Sequence, residues 1–209
     1  MVDQKDLRAL QMAVLDVYRA FAEICKKHNL RYYLIGGSVI GSIRHNGFIP
    51  WDDDVDITMP IRDYNQLIEI LKAEKNFPFL IEHYQFEVFT TGSYVLKLCN
   101  PKVKCGRING DKTYVHSCFL SVFPLNNLPD SSLMRKLFKL ETKAWFLYLR
   151  FVRSAHNGVE SDSHSTMEKV GIKINKLFEI GKRTTVRSAT MKLDMCLQRY
   201  KNKQGIVVR

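Results

Sequence analysis

The run YYLIGGSVIGSIRHNGFIPWDDDVDITMP, residues 32–60, decides the fold. Arg31 to Ile35 is short and β-prone and breaks at Gly36-Gly37, after which Val39, Ile40 and Ile43 fall at helical spacing as far as Arg44. Turn signals follow at Asn46-Gly47 and Pro50. Asp54-Val55-Asp56-Ile57-Thr58-Met59 then alternates acid with apolar, the pattern of a strand with one polar face. Strand, glycine turn, helix and acidic strand make an α/β (α+β) chain.

Working outward, Leu7, Leu10, Val14, Val17, Tyr18, Phe21, Ile24 and Cys25 lie on one helical face, so residues 4–27 are expected to form an amphipathic helix. Pro60 suits the start of another helix, carried by Tyr64, Leu67, Ile68 and Leu71. Residues 79–99 read as two or three strands (Phe79 to Glu82, Phe86 to Thr90, Tyr94 to Leu98), 100–113 as a polar loop, and Phe119 to Phe123 as a strand closing at Pro124. From Ser131 the pattern turns helical: 131–153, then 166–180 between a capping box Ser165-x-x-Glu168 and Gly181, then about 184–200. The loop 154–164 is the expected boundary, giving a domain over 1–153 and a helical part over 154–209.

A chain of 209 residues, 45% hydrophobic, can bury a sizeable core. No apolar run approaches the roughly 20 residues of a membrane span and the N-terminus lacks a signal-peptide pattern, so a cytoplasmic location is expected. Five scattered cysteines without a CxxC pair argue against a zinc ribbon and a disulfide framework and read as reduced thiols. The charge of +11, from 32 Lys and Arg against 21 Asp and Glu, favours polyanionic partners: phosphorylated small molecules, anionic lipid or nucleic acid. No nucleic-acid motif accompanies that charge, so no nucleic-acid partner is expected. Four of the 21 acids sit within Asp52 to Asp56, and a carboxylate knot in a basic protein suggests a metal meeting phosphates.

The chemistry follows from that pairing. Glycines at a strand-to-helix turn let backbone N–H groups approach a phosphate, and a helix N-terminus adds partial positive charge. Alternation would send Asp52, Asp54 and Asp56 to one face, where clustered carboxylates repel unless a hard cation such as Mg²⁺ neutralises them. A glycine pair alone is usually only a turn, and an acidic run alone usually a solvated loop. Their order at this spacing is the specific signal. Lys97 and Lys102 could touch phosphate but read better as surface lysines, and His45 reads as a spacer beside a turn. Trp51 is expected to pack the turn. Aromatic and basic residues alternate along helix 131–153, read as core packing with a solvated basic face, with peripheral membrane contact as the alternative.

Residues 32–67, including Gly41-x-x-Arg44-His45-x-Gly47-Phe48-Ile49-Pro50-Trp51-Asp52-Asp53-Asp54-x-Asp56-Ile57, resemble the LicD family signature, and FLSVFPLNNLPD (119–130) is similar to that family's later strand. The resemblance covers about residues 5–130. It implies a nucleotidyltransferase-like mixed sheet flanked by helices, with a C-terminal helical part. It also implies a phosphotransferase that needs Mg²⁺ or Mn²⁺ and moves a phospho-alcohol, foremost phosphocholine, from a CDP-alcohol donor to a sugar hydroxyl of a cell-surface or lipid-linked glycan precursor. By that similarity Gly36, Gly37 and Ser38 hold donor phosphates, Asp54 and Asp56 the metal, and Arg44 and His45 sit near the phosphates; Lys97 joins the candidate substrate-binding residues on its charge and place alone. Ser121 and Asn126 stand where the family usually has Asp. Asp52 is then the substitute for the missing acid, and Ser121 the position where the catalytic set departs from its relatives. The alternatives implied are a catalytically impaired nucleotide-binding member and an NMP-transferring nucleotidyltransferase. The chain ends at Arg209, short of the C-terminal region the resemblance leads one to expect, which implies a truncated or specialised member.

Overall fold

The computed structural model describes residues 4–74, 76–90, 92–109, 112–157, 184–202 and 207–208. Helix α1 spans Gln4–Lys27, with Asp6 in its first turn and Lys26 and Lys27 in its last, each at the end of the helix dipole that favours its charge. Val14, Val17 and Phe21 are wholly buried along its inner face. Asn29 takes a left-handed φ of 53°, and the Leu30 and Asn29 N–H groups donate to the Cys25 and Lys26 carbonyls, a Schellman cap that turns the chain back towards the sheet.

The sheet is mixed. Strand β1 (Tyr33–Leu34) pairs antiparallel with β2 (Val55–Pro60), and β2 runs parallel to β5 (Lys112–Asn127). β5 pairs antiparallel with β4 (Leu96–Asn109), and β4 with β3 (Leu80–Glu82). The order is β1-β2-β5-β4-β3, and β6 (Val207–Val208) adds to the end of β5 through Asn126 and Asn127. Helix α2 (Gly37–Arg44) joins β1 to β2, and α3 (Ile61–Ala73) follows β2 directly, with Pro60 as its N-cap residue. One face of β2, with Ile57 and Met59 fully buried, shares a core with α1, α3 (Tyr64, Leu67, Ile68) and Leu96, Leu98, Leu120 and Val122 of β4 and β5. This is the α+β fold expected.

Several elements differ from the sequence reading. Phe86 to Thr90 forms no strand, and the supposed polar loop 100–113 is mostly β4 and β5, paired from Lys104↔Ser117 to Asn109↔Lys112. Beyond a register shift between Asn100 and Lys104, next to Pro101 with its missing N–H, these two strands pair, among the described residues, only with each other. Such a ribbon needs backbone bonds and cross-strand contacts, not an apolar face, so its polar sequence hid it. The helix expected over 131–153 is α4, Ser132–Asn157, so it takes in the first residues of the expected boundary loop. The last expected helix is α5 (Val186–Leu197) followed by a 3₁₀ turn at Gln198–Tyr200. The expected helix 166–180, with Ser165, Glu168 and Gly181, lies outside the described residues.

Two compact units divide the chain. One comprises Met1–Val88 and Val95–Leu125; the other comprises Phe89–Tyr94 and Asn126–Val208. The second has a core of its own in Leu149, Val152, Ala189 and Leu193, where α4 packs on α5, with Trp145 and Phe146 against it.

Candidate active site

Three local features build the site in the first unit. Gly36 caps α2 at φ 59°, a left-handed conformation that favours glycine, so the chain can turn sharply from β1 into the helix. Gly37 opens α2 against the acidic run: a Cβ placed on it would stand 2.5 Å from Asp52 Oδ2. Ser38 ties the helix to the acidic strand, its Oγ accepting from the Asp56 N–H at 2.9 Å.

The far end of α2 is closed in the same way. Gly47 N–H and His45 N–H both donate to the Gly41 carbonyl, and a Cβ on Gly41 would meet Gly47 O at 2.5 Å. The turn after it is held from α1, where the buried Gln11 amide donates to Asp52 O at 2.9 Å and to Ile49 O at 3.4 Å. Gln11 was missed by the sequence reading. A lone glutamine among the helix's polar positions carries no signal that its partners lie 38 and 41 residues away.

Because β2 begins at Val55, Asp52, Asp53 and Asp54 precede the strand and strand alternation does not govern them. Their carboxylates converge instead, with an oxygen from each within 4.8 Å of the others, and Asp53 joins a cluster from which alternation would have excluded it. Asp56 lies one step into β2. Burial, then the neighbouring charges of Asp56, Asp52 and Asp53, push the Asp54 carboxyl up from 3.8 to about 6. An oxygen-rich cluster paying that electrostatic cost suits a hard divalent cation, which takes oxygen ligands at about 2.0–2.6 Å.

A cleft of about 150 Å³ is lined by Gly37, Ser38, Asp52 and Asp54, with Leu15 and Tyr18 of α1. That is smaller than the roughly 300–1,000 Å³ of pockets enclosing a whole drug-sized ligand, and its wall is mostly apolar, so the cleft does not by itself enclose a nucleotide donor. Arg44, His45, Lys97 and Ser121 do not line it. Arg44 and His45 are exposed at the end of α2. Trp51 does not pack the turn: it is 77% exposed, its ring edge-on to His45 with centroids 6.5 Å apart.

Lys97 and Ser121 belong instead to a row across the sheet. Asp56 is in register with Ser121, Ser121 with Lys97, and Lys97 with Glu82, so the four share the face opposite Ile57 and Met59. Ser121 is buried. Lys97 is not the surface lysine expected: it is half-buried, with Nζ 4.0 Å from the centre of the Phe119 ring.

Residues 29–119 match the family described as LicD/FKTN/FKRP, nucleotidyltransferase domain. Lipopolysaccharide cholinephosphotransferase LicD of Haemophilus influenzae is 28% identical over 165 residues, which cover 74% of this chain and 59% of that protein. Uncharacterized protein RT0683 of Rickettsia typhi is 30% identical over 87 residues, 42% of this chain and 27% of that one. Ribitol 5-phosphate transferase FKRP of Homo sapiens is 35% identical over 68 residues, 32% of this chain and 13% of that one. Each match spans less than two thirds of the relative's length.

Proposed function

From its membership of the LicD family, carried by residues 29–119, we propose that this chain transfers a phospho-alcohol, phosphocholine first, from a CDP-alcohol to a hydroxyl of a glycan precursor. The observation that carries the reading is the packing of the glycine turn on the acidic cluster, with Gly37 set against Asp52. Two of the relatives are named for moving a phosphocholine and a ribitol phosphate, which are both phospho-alcohols.

In this reading the α2 N-terminus at Gly36 and Gly37 receives the diphosphate, whose negative charge the helix dipole favours. Asp52, Asp53 and Asp54, with Asp56 beside them, would hold Mg²⁺ or Mn²⁺, which supplies neutralisation of charge on the phosphate oxygens when bound. The acceptor oxygen attacks the alcohol-bearing phosphorus. The bond from that phosphorus to the bridging oxygen breaks, CMP leaves, and the hydroxyl proton passes to a carboxylate of the cluster. Asp52, facing Gly37, is the first choice for that base.

The test is incubation with Mg²⁺ and a panel of CDP-alcohols, with and without glycan acceptors. Acceptor-dependent CMP release supports the proposal; pyrophosphate release from a nucleoside triphosphate would replace it with NMP transfer. A second reading, a nucleotide-binding member without turnover, is favoured by the serine buried at position 121. It is the account to adopt if CDP binds with Mg²⁺ and no donor yields CMP.

A further inference from the structure

Helix α4 carries two exposed stripes that the other described residues of its unit leave uncovered. Leu133, Leu137, Leu140 and Leu147 recur at steps of four, three and seven residues, which is one side of an α-helix, and they are 40–68% exposed. Ala144 falls on the same line and is exposed. Beside it runs a second exposed stripe of Lys136, Lys139, Lys143 and Arg150. The buried side of the helix is a different one, made by Phe138, Leu149 and Val152.

The charges along α4 select among occupants. Glu141 is its one carboxylate, and it is taken by Arg199 through two hydrogen bonds of 2.6 and 2.7 Å. The remaining charged side chains of the helix are Lys or Arg. A second copy of the chain would bring one lysine row against another, so a symmetric helix pair is disfavoured. A leucine stripe flanked by lysines fits a surface that is apolar just beneath a layer of negative charge. No described helix is long and apolar enough to cross a membrane, so α4 would lie on such a surface and not through it.

We propose that the Leu133–Leu147 face of α4 docks on a membrane bearing anionic lipid headgroups, its leucines entering the headgroup boundary and its lysines pairing with lipid phosphates. This inference does not depend on the transferase reading, because its readout is lipid binding alone. The full chain is sedimented with vesicles of phosphatidylcholine and with vesicles of phosphatidylcholine mixed with phosphatidylglycerol. The expected result is binding to the mixed vesicles, weakened by added salt, and little binding to phosphatidylcholine alone.

The double variant Lys136→Gln/Lys143→Gln should lose about fivefold in affinity per lysine. The double variant Leu137→Ser/Leu140→Ser should lose roughly tenfold per leucine while keeping the wild-type melting temperature, because both side chains face solvent. Equal binding to the two vesicle types, or none to either, overturns the proposal. So does a dimer in sedimentation equilibrium that the leucine variant dissociates, which would make a second copy the occupant. A clear drop in the melting temperature of the leucine variant also overturns it, since the face would then be packed within the molecule.

Discussion

Asp54 shows what the site costs the protein. Its carboxyl ionises near 3.8 in an unfolded chain and near 6 in the folded one, raised by burial and then by Asp56, Asp52 and Asp53. The folded state therefore holds this proton more tightly, and the associated stability is complete below about pH 4 and lost as pH rises through 6. Asp54→Asn should melt above the wild type at pH 7 in chelator, by about 1 kcal/mol, because the carboxylate is crowded by protein yet still reached by solvent, which screens most of the cost. The gain should disappear near pH 4. Equal melting temperatures at pH 7 would show that the cluster imposes no strain. At Gly37 the expected obstacle to a side chain was an approaching phosphate, but the nearest atom is Asp52 Oδ2. Gly37→Ala should thus rotate the Asp52 carboxylate and weaken Mg²⁺ binding in calorimetry. Gly36→Ala meets nothing within 4 Å but inherits φ 59° and ψ −132°, a backbone region sparsely populated by residues with a Cβ, so it should cost about 1–3 kcal/mol of stability and leave Mg²⁺ affinity intact.

At the scale of elements, the parallel pairing of β2 with β5 decides what position 121 can do. Register puts it between Asp56 and Lys97, buried, with the pairing to β2 running on to Pro60↔Leu125. Ser121→Asp would add a carboxylate beside Asp56. Where its absence limits the enzyme, CMP release should rise by about 10²–10⁴-fold, the usual contribution of a well-placed general base. The same variant should melt lower in chelator and recover with Mg²⁺, because a second carboxylate buried beside Asp56 is costly until a cation neutralises the pair. Asn126→Asp should leave turnover unchanged, since Asn126 lies one residue past the last β2 pair and opposite Val208. A wild-type enzyme that turns over well and gains nothing from Ser121→Asp would place the base elsewhere, at Asp52 first.

Over the whole molecule, two separate cores make the stability of the site separable from that of the α4–α5 pair. Leu193 is fully buried with Leu149, Val152 and Ala189, and none of these belongs to the core beneath β2. Leu193→Ala should cost about 2–5 kcal/mol. Hydrogen exchange should show α4 and α5 losing protection while Val55–Pro60 and Leu96–Leu98 keep theirs. Simultaneous loss in both sets would mean that the units unfold as one.

What the sequence by itself determined were the features whose cause is local. Helical period set α1 and α3, the glycine pair set the β1-to-α2 turn, and the acid-apolar alternation set β2, because each depends on residues within a few positions of one another. The family resemblance was equally legible, since residues 32–67 carry its most specific part in one unbroken run. The β4–β5 ribbon was not, because its polar residues show no apolar period to mark a strand. Only tertiary structure decided the rest. The grip of Gln11 on the acidic turn, the row from Asp56 through Ser121 and Lys97 to Glu82, and the convergence of Asp53 on Asp52 and Asp54 all join parts of the chain whose separation no periodicity encodes. The outward leucines of α4 belong with them: helical spacing shows that a face is apolar, and only packing shows whether anything covers it.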